Sequence, residues 1–222
     1  MIDYSDGMNA KKTATGGHFH AVRFYENEAA LCRIVAGFLR EGLSLGQPGL
    51  VIGTSEHNNG ILAELRAREV DVVGLQKSND LVLVDAAETM ATFMVDGTPN
   101  GDRFNETATQ IFARIRRGRS GVTIRAYGEM VDLLWKAGRD VAAIQLEMLW
   151  NKLARTNEFS LLCGYAMGNF YKDAGVLDVC RQHTHIVSSD GAASVSNVDT
   201  LLIGALPDLG KNPGPTSRHS PR

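Results

Sequence analysis

Residues Gly121 to Met167 read GVTIRAYGEMVDLLWKAGRDVAAIQLEMLWNKLARTNEFSLLCGYAM: an apolar run, two amphipathic segments and a second apolar run. Apolar runs this short suit strands buried on both faces, and the stretches between them suit helices, so the unit reads strand, helix pair, strand. Polar and aromatic residues, Arg125, Tyr127, Glu129, Cys163 and Tyr165, gather where each apolar run ends, the position at which open α/β sheets hold their ligands. The unit is therefore expected to be half of a binding crevice, with the other half upstream.

Upstream, His20-Ala-Val-Arg-Phe24-Tyr25-Glu26 is a short β-prone run. Asn27 can cap a following helix whose apolar positions Leu31, Ile34, Val35, Phe38 and Leu39 recur at helical spacing. Pro48-Gly49 then turns the chain into Leu50–Thr54, a buried-strand pattern with Ser55-Glu56-His57 at its end. Residues 59–68 read as a helix and Leu81–Asp85 as the next strand. A break rich in Pro, Gly and Asn at 97–101 precedes a helix carrying Phe104, Ala108, Ile111, Phe112 and Ile115. The arginines at 114, 116, 117 and 119 close that helix, where the macrodipole favours cations.

Strands near 20–25, 50–54, 81–85, 121–126 and 159–165, alternating with helices, predict βαβ units and a mainly parallel five-stranded sheet with helices on both faces. A last helix is expected over 170–182. Residues 1–17 form a polar lead-in, 18–187 the domain, and 188–222 a tail whose Ser, Gly, Asn, Pro and Ala content predicts disorder. Val198–Leu209 is its one amphipathic stretch.

A formal net charge of −2 leaves no footprint for nucleic acid. Cys32, Cys163 and Cys180 are scattered and odd in number, which fits reduced thiols in a cytoplasm. No apolar stretch approaches the roughly 18 residues that a membrane span requires, and the amino-terminal residues show no signal-peptide core.

Taken together, HxxxFYE at His20–Glu26, GLSLGQPGLVIGTSE, RAYGEM, IQLEMLWNKL and SLLCGYAM make residues 17–187 resemble the MEDS family, the sensory domain named for methanogens, methylotrophs and the dichloromethane-responsive regulator. The resemblance implies a degenerate P-loop (RecA/KaiC-like) three-layer sandwich, found alone or joined to histidine kinases and other signalling modules. It also implies the sensing of small molecules.

ATP chemistry is not expected. A phosphate loop needs GxxxxGK[ST] on the first strand-to-helix turn, where this chain has Phe24-Tyr25-Glu26-Asn27-Glu28, with neither glycine nor lysine. Arg125 stands where a metal-holding Asp would end a central strand. The expected ligand site comprises His20, Phe24, Tyr25, Glu26, Glu56, Arg125, Tyr127, Glu129, Cys163 and Tyr165, with Arg125 beside Glu26, Glu56 and Glu129 as an ion pair or ligand clamp. The four aromatic residues of this set line an apolar pocket or belong to the core.

His18, His20, His183 and His185, with Cys163 or Cys180, offer enough donors for zinc, but a floppy lead-in and a helix end explain them without one, and no metal or cofactor is called for. The expected role is a non-catalytic sensory module that binds a small organic ligand or a protein partner such as a kinase or regulator and signals in trans. The alternatives are an enzyme using Glu56 or Glu129 as base, and a homo-oligomer formed through the Trp135–Trp150 surface.

Overall fold

The computed structural model describes residues 18–170, 175–188, 191 and 193–195, and among these the apolar runs become strands and the amphipathic runs helices. β1 (His20–Tyr25) passes through Asn27, whose side chain accepts from Ala30 N at 2.9 Å, into α1 (Glu28–Ser44). β2 (Gly49–Gly53) is followed by α2 (Ser55–Ala67) and α3 (Val72–Lys77), and β3 (Leu81–Asp85) by α4 (Ala86–Ala91). A hairpin runs into the 97–101 break, β4 (Met94–Val95) and β5 (Thr98–Pro99), turned by Asp96 and Gly97 at φ 49° and 81°. Two consecutive positive φ values are what a two-residue hairpin loop requires, and Asp-Gly is a favoured pair for it.

α5 (Gly101–Arg116) leads to β6 (Ile124–Gly128), then α6 (Met130–Lys136), α7 (Asp140–Leu153) and β7 (Phe159–Ala166). A 3₁₀ turn at Met167–Phe170 precedes α8 (Gly175–Gln182), β8 (His185–Val187) and β9 (Ala193–Val195). The last helix is described from Gly175 onward.

The main sheet has seven strands in the order β3-β2-β6-β7-β1-β8-β9, parallel from β3 to β8, with β9 antiparallel at the edge. All five predicted strands are present. β8 and β9 are additions, and β9 falls inside the stretch expected to be a disordered tail. Three-residue strands are too short for periodicity to reveal, and these two rest on pairing with β1 and with each other. The lead-in and Val198–Leu209 lie outside the described residues.

Right-handed crossovers sort the helices by direction of travel. From β1 to β2 to β3 the chain moves one way, and α1, α2 and α3 cover one face, burying Leu31, Val35, Leu39, Val51, Leu65, Tyr127 and Leu162. From β3 onward it moves back, and α4 to α8 cover the other face around Leu50, Ile52, Phe104, Phe112, Leu146, Trp150 and Leu161. β2 and β6 are neighbours whose onward connections leave on opposite faces and run apart, so their carboxyl ends are the switch point at which open α/β sheets hold their ligands. Among the described residues no helix is long and apolar enough to cross a membrane.

The arginines at the end of α5 are committed within the chain. Arg117 and Arg119 pair with Asp80 at 3.0 and 2.7 Å, Arg114 donates to Asn79, and Arg116 donates to Asn157 and the Glu158 carbonyl.

Gly164 on β7 marks a close approach. A Cβ there would lie 2.7 Å from Tyr127 Oη and 3.2 Å from its ring, and Tyr127 is fully buried with nowhere to retreat. Gly164→Ala should therefore cost about 1–3 kcal/mol, as overpacking does. Gly37→Ala in α1, with nothing within 4 Å of the new methyl, should instead stabilise by about 0.4–1 kcal/mol. Urea unfolding of both variants checks the pair of signs.

Candidate functional site

At the crevice between β2 and β6, Glu129 follows the last residue of β6 and is 1% exposed, so its carboxylate must be fully paired. One oxygen accepts from Thr54 N, the backbone amide at the cap of α2. The other accepts from Tyr127 Oη at 3.0 Å and is bound to His57 Nδ1. The mouth of α2, where the helix dipole would favour a bound anion, is thus filled by the chain's own carboxylate. Gly53 supports this approach, since a Cβ there would press on Asn58 at 2.7 Å and on Glu129 at 3.4 Å.

Beside it Asp132, on α6 and 1% exposed, closes the ends of β7 and β1. Its Oδ1 accepts from Ala166 N at 2.9 Å and Asn169 at 2.7 Å, while Oδ2 meets Tyr25 Oη at 3.3 Å and Lys136 Nζ at 2.8 Å. Four strand ends, those of β2, β6, β7 and β1, are therefore tied by two carboxylates. His57 Nε2 is buried here without a hydrogen-bond partner, next to the edge of the Tyr25 ring.

A second polar cluster lies deeper, between β1 and β7 on one side and α7 and α8 on the other. Glu147, wholly buried on α7, stands 3.2 Å from His20 Nε2, 3.5 Å from Cys163 Sγ and 3.4 Å from His183 Nε2, and accepts from Tyr165 Oη at 2.8 Å. Burial would raise Glu147, but the neighbouring imidazoles outweigh it and hold the carboxyl well below its usual range. Burial, and then His183, lower His20, whereas burial and Glu147 push the Cys163 thiol far up.

Strand alternation divides the expected site. Tyr25 and Tyr127 face α1 and α2, whereas Phe24 and Tyr165 face α7 and α8 and stack with Phe170, so the four aromatic residues do not line one pocket. His20, Cys163 and Tyr165 belong to the deeper cluster, and Glu26 and Glu56 are exposed. Arg125 sits at the amino end of β6, in register with Gly49, because the strand starts at Ile124 rather than 121. It donates to Gln47 at 2.7 Å, lies over the Phe38 ring and is 3.7 Å from Glu41, packed against Gly42; its expected neighbours Glu26, Glu56 and Glu129 are not its partners. The acid at the carboxyl end of β6 is Glu129.

Trp150 is buried between Phe104 and Phe159, and Trp135 packs on Phe170 and Tyr165, so the two tryptophans serve the core rather than a shared surface. His57, Asp132 and Glu147 were absent from the expected set. The last two had a signal: each is a lone acid on the inward, apolar face of a helix, Asp132 beside Val131 and Leu134, Glu147 beside Leu146 and Trp150.

Residues 19–184 match the family model MEDS, the methanogen/methylotroph, DcmR sensory domain. Among curated proteins, none matches. Among solved structures the chain is similar to the KaiC-like protein of the hyperthermophilic archaeon Pyrococcus horikoshii OT3, with 11% identity, a TM-score of 0.51, and coverage of 75% of this chain and 70% of that one. At that identity the likeness concerns the fold alone, and it agrees with a RecA-like sandwich.

The hydrogen bond to Glu129 raises His57 above the ordinary 6.5, with burial opposing and Glu28 and Lys136 the other charges it feels. Burial would raise Glu129, but its bonds from His57 and Thr54 hold it below the ordinary 4.5. The histidine's contribution to stability is complete below its unfolded value and is lost as pH rises through the higher folded one; the carboxylate's is complete above its unfolded value and is lost as pH falls through the lower folded one. The melting-temperature gap between wild type and His57→Gln should thus be widest between the ordinary values of the two groups, at about pH 4.5–6.5, and shrink as pH rises through the raised value of His57. A gap independent of pH would show that His57 stays neutral.

Proposed function

This chain belongs to the MEDS family, and from that premise we propose that it is a non-catalytic sensory module whose ligand is a small, weakly polar organic molecule bound at the β2/β6 crevice. The observation that carries this reading is the pairing of a filled anion site with an unpartnered imidazole nitrogen. Glu129 already occupies the mouth of α2, while His57, its other nitrogen bound to that carboxylate, leaves Nε2 buried and unpartnered. With the imidazole protonated, Nε2–H needs an acceptor, and a neutral carbonyl, hydroxyl or ether oxygen fits better than a phosphate facing two carboxylates.

The same geometry disfavours catalysis. A general base works best with a pKa near the working pH, and Glu129 is held below the ordinary carboxylate value with its oxygens committed to three donors. Glu56 is exposed in the first turn of α2, away from any water-excluded site. In this reading the signal is a shift in the Glu129–His57 and Asp132 ties that join the strand ends, passed to a protein partner such as a kinase or regulator.

Native mass spectrometry of protein purified from its own host should show a retained small-molecule mass that His57→Ala removes while the circular dichroism spectrum is kept. Titration calorimetry with ATP-Mg²⁺ should show no binding heat. Steady ATP turnover abolished by Glu129→Gln would overturn the sensory reading in favour of an enzyme.

A further inference from the structure

We propose that His20, Glu147, Cys163 and His183 form a buried binding site for one divalent transition-metal ion of the zinc class. Four elements converge to make it: β1 supplies His20, α7 Glu147, β7 Cys163, and the turn after α8 His183. One donor atom from each lies within 4.8 Å of all the others, and all four residues are buried.

Three of the donor–donor distances are close to those of a coordination shell, and the rest lie within 4.8 Å. Metal–ligand bonds of about 2.0–2.3 Å set tetrahedral edges of about 3.3–3.8 Å between donors. The edges His20 Nε2 to Glu147 Oε2, His20 Nε2 to Cys163 Sγ, and Cys163 Sγ to Glu147 Oε2 measure 3.2, 3.4 and 3.5 Å. His183 Nε2, 3.4 Å from the other oxygen of Glu147, supplies the fourth vertex.

The outer contacts aim the donors inward. His20 Nδ1 meets Asn151 Oδ1 at 2.9 Å, and the Asn151 amide is oriented by donation from Nδ2 to the Gln182 carbonyl at 2.9 Å. His183 Nδ1 meets the Val179 carbonyl at 2.7 Å. Oxygens that only accept require the proton on Nδ1, which leaves each Nε2 with its lone pair toward the centre, the arrangement that orients metal-bound imidazoles. His183 Nε2 is buried and makes no hydrogen bond there, so the lone pair is unanswered by the protein itself. Tyr165 donates to Glu147 Oε1 and leaves Oε2 for the ion.

Charge and donor type agree. A dication with one thiolate and one carboxylate is neutral overall, which avoids the large cost of burying net charge. Two imidazoles, a sulfur and a carboxylate oxygen are the borderline ligands that suit tetrahedral zinc, and four protein donors leave no open position for a substrate. The site fastens α8 to the sheet, and it lies on the face opposite His57, so it stands or falls independently of the crevice ligand.

The test uses the full chain, stripped with a chelator and titrated with Co²⁺ and Zn²⁺. One equivalent of Co²⁺ should produce intense tetrahedral d–d bands and a thiolate charge-transfer band. Cys163→Ser should abolish the charge-transfer band, Cys32→Ser, on the other face of the sheet, should keep it, and Asn151→Ala should weaken zinc affinity by about 10–100-fold with the band retained. A folded wild type that takes up no Co²⁺ at one equivalent overturns the proposal, as does a band that survives in Cys163→Ser. Should that variant fail to fold, the wild-type titration decides alone, because only a sulfur ligand gives the charge-transfer band.

Discussion

A carboxylate kept from water has to find donors for its oxygens, and Glu129 finds three, two at the start of α2 and one on β6. Its position at the end of β6 makes it the bolt between that strand and the start of α2. Removing one partner would strand a buried charge, a loss on the order of 3–5 kcal/mol when such pairs are broken. The rest of the sheet edge follows from this choice. Asp132 takes up the ends of β7 and β1 because Glu129 is already committed, and His57 is turned so that one nitrogen is used and the other is spare.

In the sensory reading proposed above, the same interaction takes the place of a bound phosphate in a RecA-like sandwich. Helix mouths attract anions, and this fold offers several along one edge. At α1 the mouth is met by Asn27 and Glu28, and at α2 by Glu129 from across the crevice. The chain supplies its own negative charge at this helix mouth, and in the proposed reading that leaves the edge for a neutral ligand.

Much of the architecture was legible because burial on both faces writes itself into the sequence as runs such as Leu50–Thr54 and Leu81–Asp85, and because Asn27 is a cap by chemistry alone. The grouping of side chains into sites was not. Consecutive strand residues point to opposite faces, so residues that share a strand end, such as Phe24 and Tyr25, are parted by the thickness of the sheet. A shift of the start of β6 from 121 to Ile124 moved Arg125 from one end of the sheet to the other. Partners distant in sequence were hidden too, and the only trace of Glu147 or Asp132 was an acid on a helix face where an aliphatic residue belongs.

The position of β1 has a temporal consequence. It is the earliest of the described strands, yet it lies between β7 and β8, and its bonds to Cys163 and Thr184 span 143 and 164 residues. At synthesis rates of about 5–20 residues per second, this strand waits about 10–30 s for its neighbours to be made. Both of its hydrogen-bonding edges stay open in that interval, so early folding must proceed around a gap. Long-range parallel pairing of this kind is slow to nucleate. The nascent protein is therefore most open to aggregation or chaperone capture through the segment that carries His20–Tyr25, and the sheet gains its full strength only when β8 and β9, beyond α8, have emerged from the ribosome.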